Sequence, residues 1–322
     1  MKIPQGIEGL ATLPPGMALS VGNFDGLHRG HAAILELCRS LRTAGATGVA
    51  FATFEPHPLT VLRPEFAPPR LMSVSQKHEA FAAAGVDYLV ELPPTPEVLN
   101  ASAESFWEML RDRTRPSHIV EGSNFHFGKG RAGTIERLRE WCSQSAVKLH
   151  EIDAVTVPLV DLQVAPVSSS LIRFLLSVGR VRDAAICLGR PYALRAPVVK
   201  GFERGRTIGV PTANLQVTEQ LIPGEGVYAG RCTVDGKTYP VALSIGTMPT
   251  FGENPPQVEA HLIGFSGDLY GQTINVEVID WLRDQRKFAA VDKLKAQLAR
   301  DINDAADLTR VRTIQPIAAL QV

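Results

Sequence analysis

Five short runs rich in Val, Leu, Ile and Phe punctuate the first half of the chain, at residues 18 to 22, 47 to 53, 87 to 92, 117 to 121 and 147 to 152. Each has the length of a strand and is bounded by polar or turn-forming positions. Between them apolar residues recur three or four apart, as in Ile34, Leu35, Cys38 and Leu41, or Phe106, Met109 and Leu110. That spacing predicts helices with one buried face. Strands alternating with helices imply a parallel sheet covered on both sides. Ligands of such sheets gather beyond the C-terminal strand ends, so chemistry is expected in the loops after Val21, Thr53 and Glu121.

After about residue 186 the pattern changes. Asp235-Gly236 is a hairpin signal between two polar-apolar runs, and Gln257 to Phe265 alternates Val258, Ala260 and Leu262 with Glu259 and His261. Ile274, Val276 and Val278 alternate likewise. This half predicts an antiparallel barrel or sandwich closed by one helix, with Val291, Leu294, Leu298 and Ile302 on a shared face. Gly179 to Leu188 reads as the junction, a turn and a short helix. The expected domains are residues 1–186 and 187–322, without internal repeats or low-complexity tracts.

Length supports the division, because 322 residues exceed the size at which a single core usually stops growing. With 45% hydrophobic and 20% charged residues the chain reads as globular and ordered. Lys plus Arg and Asp plus Glu both number 33, so no global field recommends nucleic acid or an anionic membrane as partner. Phosphate binding must be local. Cys38, Cys142, Cys187 and Cys232 form neither a CxxC pair nor a metal-ligand cluster and read as buried apolar residues in a reducing cytoplasm. No secretory start and no apolar stretch of about 18 residues is found. Oligomeric state is not legible.

The segment SVGNFDGLHRGHAAIL runs from a strand through a Gly-rich turn into a helix, the geometry that presents free backbone N–H groups to an anion. Gly22, Gly26 and Gly30 allow sharp turns and close approach of phosphate. His28 and His31, three apart at a helix start, share a face and can both donate to one triphosphate. No lysine accompanies them, so this is not a Walker A loop. In FATFEPHPL, Phe54 ends a strand and Glu55, Pro56 and His57 form a stiff turn that could line a pocket, although taken alone a stiff loop explains the pattern better. In VEGSNFHFGKGRAGT, Asn124 follows a strand, and Phe125 and Phe127 could flank a planar ring; core packing is the expectation for one of the two. PVSSSLIRFLL sets Ser168, Ser169 and Ser170 before a helix carrying Arg173, hydroxyls for capping or phosphate followed by a guanidinium suited to phosphate oxygens.

In the second half VVKGFERGRTIGVPTANL places Gly201, Gly205 and Gly209 at four-residue spacing before Pro211, Thr212, Ala213 and Asn214. Such a loop can fold over a nucleotide, and Thr212 and Asn214 offer neutral oxygens that complete a Mg²⁺ shell of phosphate and water. Read alone, PTAN is better explained as a turn into a strand, and the glycines as a flexible hairpin. Downstream, Glu259 and His261 project from one side of a strand, where a glutamate near the PTAN loop could serve as general base.

Together, GNFDGLHRGH, TFEPHP, GSNFHFGKGR and VSSSLIR, in that order, resemble the FMN adenylyltransferase module of the bacterial bifunctional riboflavin kinase/FMN adenylyltransferases, or FAD synthetases, which are HxGH nucleotidyltransferases. GRTIGVPTANL, GVYAG, IGTMPTFG, VEAHL, DLYG and LRDQRKF resemble the riboflavin kinase module of the same family. The resemblance implies a Rossmann-like α/β domain followed by a six-stranded antiparallel barrel with a closing helix. It implies two ATP-dependent steps, riboflavin to FMN and FMN to FAD with release of pyrophosphate, and Mg²⁺ as cofactor. His28 and His31 would bind the ATP phosphates, Gly22, Asn23, Phe24, Asp25 and Gly26 would shape the nucleotide loop, and Ser169 and Arg173 would assist the leaving pyrophosphate. Phe54, Pro56, His57, Asn124 and Phe125 would meet the flavin. In the kinase half Gly201, Gly205, Arg206, Gly209, Pro211, Thr212 and Asn214 would hold Mg²⁺-ATP, and Glu259 would activate the riboflavin hydroxyl. The chain departs from the family pattern at Ser170, Pro94, Ala196 and Ser244. Two alternatives stand beside this reading, a kinase with a weak or inactive adenylyltransferase half and a non-catalytic flavin sensor.

Overall fold

The computed structural model describes residues 1–201, 209–246 and 256–311. Two compact units emerge, Met1–Pro68 with Val74–Thr156, and Pro69–Ser73 with Val157 onward.

The first unit is built on five parallel strands, β1 (Ala18–Gly22), β2 (Val49–Phe54), β3 (Tyr88–Leu92), β4 (His118–Gly122) and β5 (Lys148–Ile152), within about two residues of the predicted runs. Their order is β3-β2-β1-β4-β5, so the winding reverses between β1 and β4. The central strands are apolar on both faces, as doubly covered strands must be: Ala50, Phe51 and Ala52 are wholly buried. The helices α1 (Arg29–Ser40), α2 (Val74–Ala83), α3 (Ala103–Thr114) and α4 (Ile135–Ser143) bury Ile34, Leu35 and Cys38, then Phe81, then Phe106 and Leu110, then Leu138 and Cys142.

The second unit begins with two helices, α5 (Ser169–Ser177) and α6 (Val181–Leu188). Strands β6 (Tyr192–Val199), β7 (Ala213–Leu215), β8 (Gly226–Val234), β9 (Lys237–Gly246), β10 (Gln257–Leu262) and β11 (Thr273–Arg283) close a barrel in the order β6-β7-β10-β9-β8-β11. Asp235 and Gly236 both take positive φ in the two-residue turn joining β8 to β9, the conformation a primed hairpin turn requires. Inward-facing Val258, Ala260, Leu262, Ile274, Val276 and Val278 share one core with Ile172, Leu175 and Leu176 of α5 and Ala184 and Cys187 of α6. The two helices therefore fold with the barrel, although the change of sequence pattern lies after them. Residues 69–73 join the same unit: Leu71 enters its core and Leu221 N–H donates to Arg70 C=O at 2.7 Å.

The closing helix α7 (Val291–Val311) is present, but its buried face differs from the apolar one expected. Val291 is exposed and Leu294, Leu298 and Ile302 are only half-buried, whereas Gln297, Asp301 and Ala305 are buried. The cause is Arg283 at the end of β11, whose guanidinium grips the Asp301 carboxylate through Nε at 3.0 Å and Nη2 at 2.6 Å. Gln297 completes this network by donating to Asp301 at 2.7 Å. A paired, hydrogen-bonded charge docks the helix where an apolar stripe was expected.

Candidate active sites

The first site grows from the loop between β1 and α1. Gly22 ends β1, and a Cβ there would press on the Phe24 ring at 3.1 Å. Phe24 takes a positive φ and is buried edge-on against Phe51, Phe81 and His31. This anchors the loop so that α1 starts at His28, whose side chain caps it: Nδ1 accepts from His31 N–H at 3.4 Å. An acceptor at Nδ1 leaves the proton of the neutral ring on Nε2. The His28 and His31 rings stack. Nδ1 of His31 is shielded from solvent and has no hydrogen-bond partner among the described residues. Burial, then His28, then Lys77 lower the His31 pKa well below the ordinary range.

The loop after β2 meets this one. Thr53 Oγ1 donates to Asn23 C=O at 3.0 Å and accepts from Lys77 Nζ at 3.0 Å, and Lys77 stands 3.5 Å from the Glu55 carboxylate. His57 Nδ1 accepts from Leu59 N–H at 3.1 Å, and its Nε2 lies 3.2 Å from the Asn23 amide. The Asn23 atom at that contact is Nδ2, and which group donates depends on the His57 tautomer. After β4, Asn124 leans against Gly122, and Phe125 stacks on Phe127 at 5.2 Å. Phe127 is buried against Phe106 and Trp141, so it is the core member of the pair, and Phe125 is half-buried.

The structure thus joins Gly22 to Gly26, His28, His31, Phe54 and His57 around adjoining loops of one unit. Ser169 and Arg173 belong to the other unit. There Ser168 caps α5 by accepting from Leu171 N–H at 3.1 Å, and Arg173 Nε donates to Pro69 C=O at 2.8 Å.

The reading of the sequence missed two buried ionisable groups. Lys77 is 5% exposed and Glu121 2%. Lys77 could have been found from its spacing, four residues before the wholly buried Phe81 on the same helix face. Glu121 accepts from Val21 N–H at 2.7 Å, and burial raises its pKa well above the carboxylate range against the opposing effect of that hydrogen bond.

The second site lies on the barrel. β7 is three residues long and sits between β6 and β10, so that Asn214 is the cross-strand neighbour of Glu259. Ser244 faces Glu259 from β9 on the other side. Asn214, Glu259 and Ser244 therefore form one row across three strands on the same face. The departure at Ser244 has a partner: its Oγ accepts from Gln285 Nε2 at 2.9 Å, which ties the LRDQRKF segment to β9. Ala196 is a buried barrel residue. A Cβ on Gly201 would collide with the Asn214 amide, so any larger residue there would have to push that side chain from its place. A cavity of 540 Å³ is lined by Pro211, Thr212, Phe265, Asp268 and Tyr270 together with Ala213 and Ala260, which alternate along their strands with Asn214 and Glu259 and so face the other way. His261 holds its edge by bonding Pro211 C=O at 2.7 Å. Gly205, Arg206 and residues 247–255 lie outside the described residues.

The FAD synthetase family matches residues 11–170 and the riboflavin kinase family residues 188–309. The bifunctional riboflavin kinase/FMN adenylyltransferase of Escherichia coli K12 is 35% identical over 304 residues, 94% of this chain and 96% of that protein. The chain belongs to this family. The bifunctional riboflavin kinase/FMN adenylyltransferase of Pseudomonas fluorescens is 32% identical over 96% of this chain and 98% of its own length. The fold also matches a crystal structure described as a macrolide-efflux protein from Streptococcus pneumoniae, with TM-score 0.85 and 26% identity over 95% of this chain and 99% of that one. Among the described residues no helix is long and apolar enough to cross a membrane. The chain is an enzyme with an FAD synthetase domain and a riboflavin kinase domain, and both domains use ATP.

Proposed function

We propose that the two units run successive steps, phosphorylation of riboflavin at the Asn214–Glu259 row and adenylylation of FMN at the His28–His31 loop. The observation that carries the reading is the presence of two separate donor sets, each assembled at the kind of place its chemistry needs: imidazoles at a helix N-terminus for a polyphosphate, and a carboxylate beside neutral oxygens for a hydroxyl and a metal-bound phosphate.

In the kinase step Glu259 accepts the proton of the ribityl 5'-hydroxyl as that oxygen attacks the γ-phosphorus of ATP; the bond to the β-phosphate oxygen breaks and ADP leaves. Gly201, Gly209 and Pro211 border the nucleotide. Thr212 and Asn214 fit Mg²⁺, because they are neutral oxygen donors and the glycine at 201 leaves room at the Asn214 amide. A Mg²⁺ ion held there would supply charge neutralisation to the phosphates. In the second step a phosphate oxygen of FMN attacks the α-phosphorus in line, and pyrophosphate departs with the electron pair. No covalent nucleophile is required; the protein supplies position and charge stabilisation. His28 donates from Nε2, and His31 and the α1 N-terminus follow the phosphates. Phe54, Pro56, His57, Asn124 and Phe125 orient the flavin.

The chemistry divides as the motifs do, residues 1–186 for adenylylation and 187–322 for phosphorylation, while the compact units divide near Val157. The enzyme works in the cytoplasm, where its four buried cysteines, none of them in a disulfide, stay reduced. Incubation with riboflavin, ATP and Mg²⁺, resolved chromatographically, tests the whole reading. FMN should appear first and FAD after it. FMN without FAD, even when FMN is supplied, would leave only the kinase, and flavin binding without ATP consumption would leave only a sensor.

A further inference from the structure

The ladder between β1 and β4 stops early. It pairs Ala18 with His118 and Leu19 with Ile119 and goes no further, whereas β1 stays paired with β2 to Gly22 and β4 with β5 to Gly122. The two central strands therefore split over their last residues, at the point where the winding reverses and the crevice opens. The Glu121 carboxyl group stands in that split. Its Oε1 accepts from Val21 N–H at 2.7 Å and lies 3.5 Å from Ser20 Oγ. Val21 is buried, and its N–H would be an orphan without this acceptor. The next peptide, Val21–Gly22, leads directly into the loop of His28 and His31.

We propose that Glu121 is a positioning residue for adenylyl transfer, its buried carboxyl standing in for a ladder carbonyl, propping β1 from β4 and fixing the direction in which the chain enters the nucleotide loop. The inference rests on the assignment of that loop to ATP. A strand residue of ordinary apolar type would let the ladder close or leave Val21 unsatisfied, and either change moves the start of the loop. Misplacement by about 1 Å is enough to cost orders of magnitude in rate.

The surroundings favour the neutral acid. Facing it from α1 is Cys38, a buried thiol whose pKa is raised by burial and further by Glu121. Glu151, its register neighbour on β5, is tied to Arg139 of α4 at 2.7 Å. Burial pushes the Glu121 carboxyl up, and only hydrogen bonds from Val21 and Ser20 oppose this. Ionisation at alkaline pH would put a charge in the crevice beside the phosphates of ATP.

The test uses the full chain, with riboflavin phosphorylation as internal control for intact protein. Glu121→Val should raise KM for ATP in adenylylation by about tenfold or more with the kinase rate maintained, and Glu121→Gln, which keeps the acceptor, should recover most of that loss. As the pH is raised above neutrality the wild-type KM for ATP should climb, and in Glu121→Gln the climb should be absent. Wild-type KM and kcat in the valine variant, or the same alkaline climb in the glutamine variant, would overturn the proposal. If Glu121→Val does not accumulate as folded protein, the pH comparison alone decides. His28→Ala/His31→Ala in the same assay separates the two levels: if that variant still makes FAD, the assignment of the loop fails, and if it does not while both Glu121 variants match wild type, only the role of Glu121 fails.

Discussion

The rings of His28 and His31 lie face to face, with centroids 3.7 Å apart and planes 17° from parallel. Two cations at such a distance repel by about 4 kcal/mol even at an effective dielectric of 20, so the pair carries at most one positive charge, and the shielded His31 is the member held neutral. Charge on the phosphates would then be met by N–H donors and the helix terminus. Replacing both histidines with alanine should abolish FAD formation from supplied FMN and leave FMN formation from riboflavin within about twofold, because the two sets of donors act independently. A double variant that makes FAD at the wild-type rate would remove the loop from the mechanism.

The same burial sets a pH dependence of stability. The lowered pKa of His31 keeps its ring neutral in the folded chain where the unfolded ring, near about 6.5, already holds a proton. The unfolded state binds more protons below that value, so stability falls as pH drops through it; above it both rings are neutral and the contribution is flat. His118 and His150, both lowered by burial, add the same sign. Glu121 acts oppositely, since a raised carboxyl loses stability as pH rises beyond its unfolded value. Denaturant midpoints should decline from pH 7 to pH 5, and more shallowly in His31→Gln, which cannot take the proton. Equal slopes in the two proteins would deny His31 its neutral state.

Much of this site could be read before any coordinates, because its strands alternate with helices in regular register and its loop glycines are unmistakable. Other parts could not. HIVEG reads as an ordinary strand, and nothing local tells that Glu121 fills a gap in the sheet; that depends on where β1 stops pairing. The docking face of α7 was misread for a related reason. Periodicity favoured Leu294 and Leu298, but the partner that decides, Arg283, sits on a different element, and a side-chain ion pair between distant segments leaves no period. Ser169 and Arg173 follow the first motif set in sequence yet fold with the second unit, since the residues that bury α5, such as Leu175 and Leu176, look the same whichever core receives them.

Glu259 faces Asn214 on one side and Ser244 on the other. A carboxylate in that row can take a proton from a hydroxyl lying against the strand while the phosphates lie toward Asn214. Glu259→Gln preserves the shape and removes the base, so riboflavin phosphorylation should fall by roughly a hundredfold or more with FMN adenylylation retained. A kinase rate equal to wild type would make Glu259 an ordinary strand residue.

Gly201 is a steric probe of the same site. A methyl group there must displace the Asn214 amide, while the barrel core beneath is untouched. Gly201→Ala should therefore raise the Mg²⁺ concentration needed for half-maximal kinase activity, by about tenfold if one oxygen donor is lost, without lowering the thermal midpoint by more than a few degrees. Unchanged Mg²⁺ dependence would separate Asn214 from the metal.

The last prediction sets chemistry against folding at the boundary. Every kinase motif lies after Cys187, yet Ile172, Leu175, Leu176, Val181 and Ala184 are each at most 1% exposed in the barrel's own core. Truncating one buried Leu or Ile to alanine typically costs roughly 2 to 5 kcal/mol, and a whole domain has only about 5 to 15 to lose. A fragment beginning at Cys187 should therefore be unstable or aggregate despite its complete motif set. One beginning at Val157 keeps both helices and loses only the 69–73 segment, whose Leu71 is a single core residue and whose Arg70 pairs with Leu221. It should fold cooperatively, convert riboflavin to FMN and never make FAD. Equal stability of the two fragments by urea denaturation would show that α5 and α6 are dispensable to the barrel, and a folded Val157 fragment without kinase activity would show that the first unit completes the kinase site.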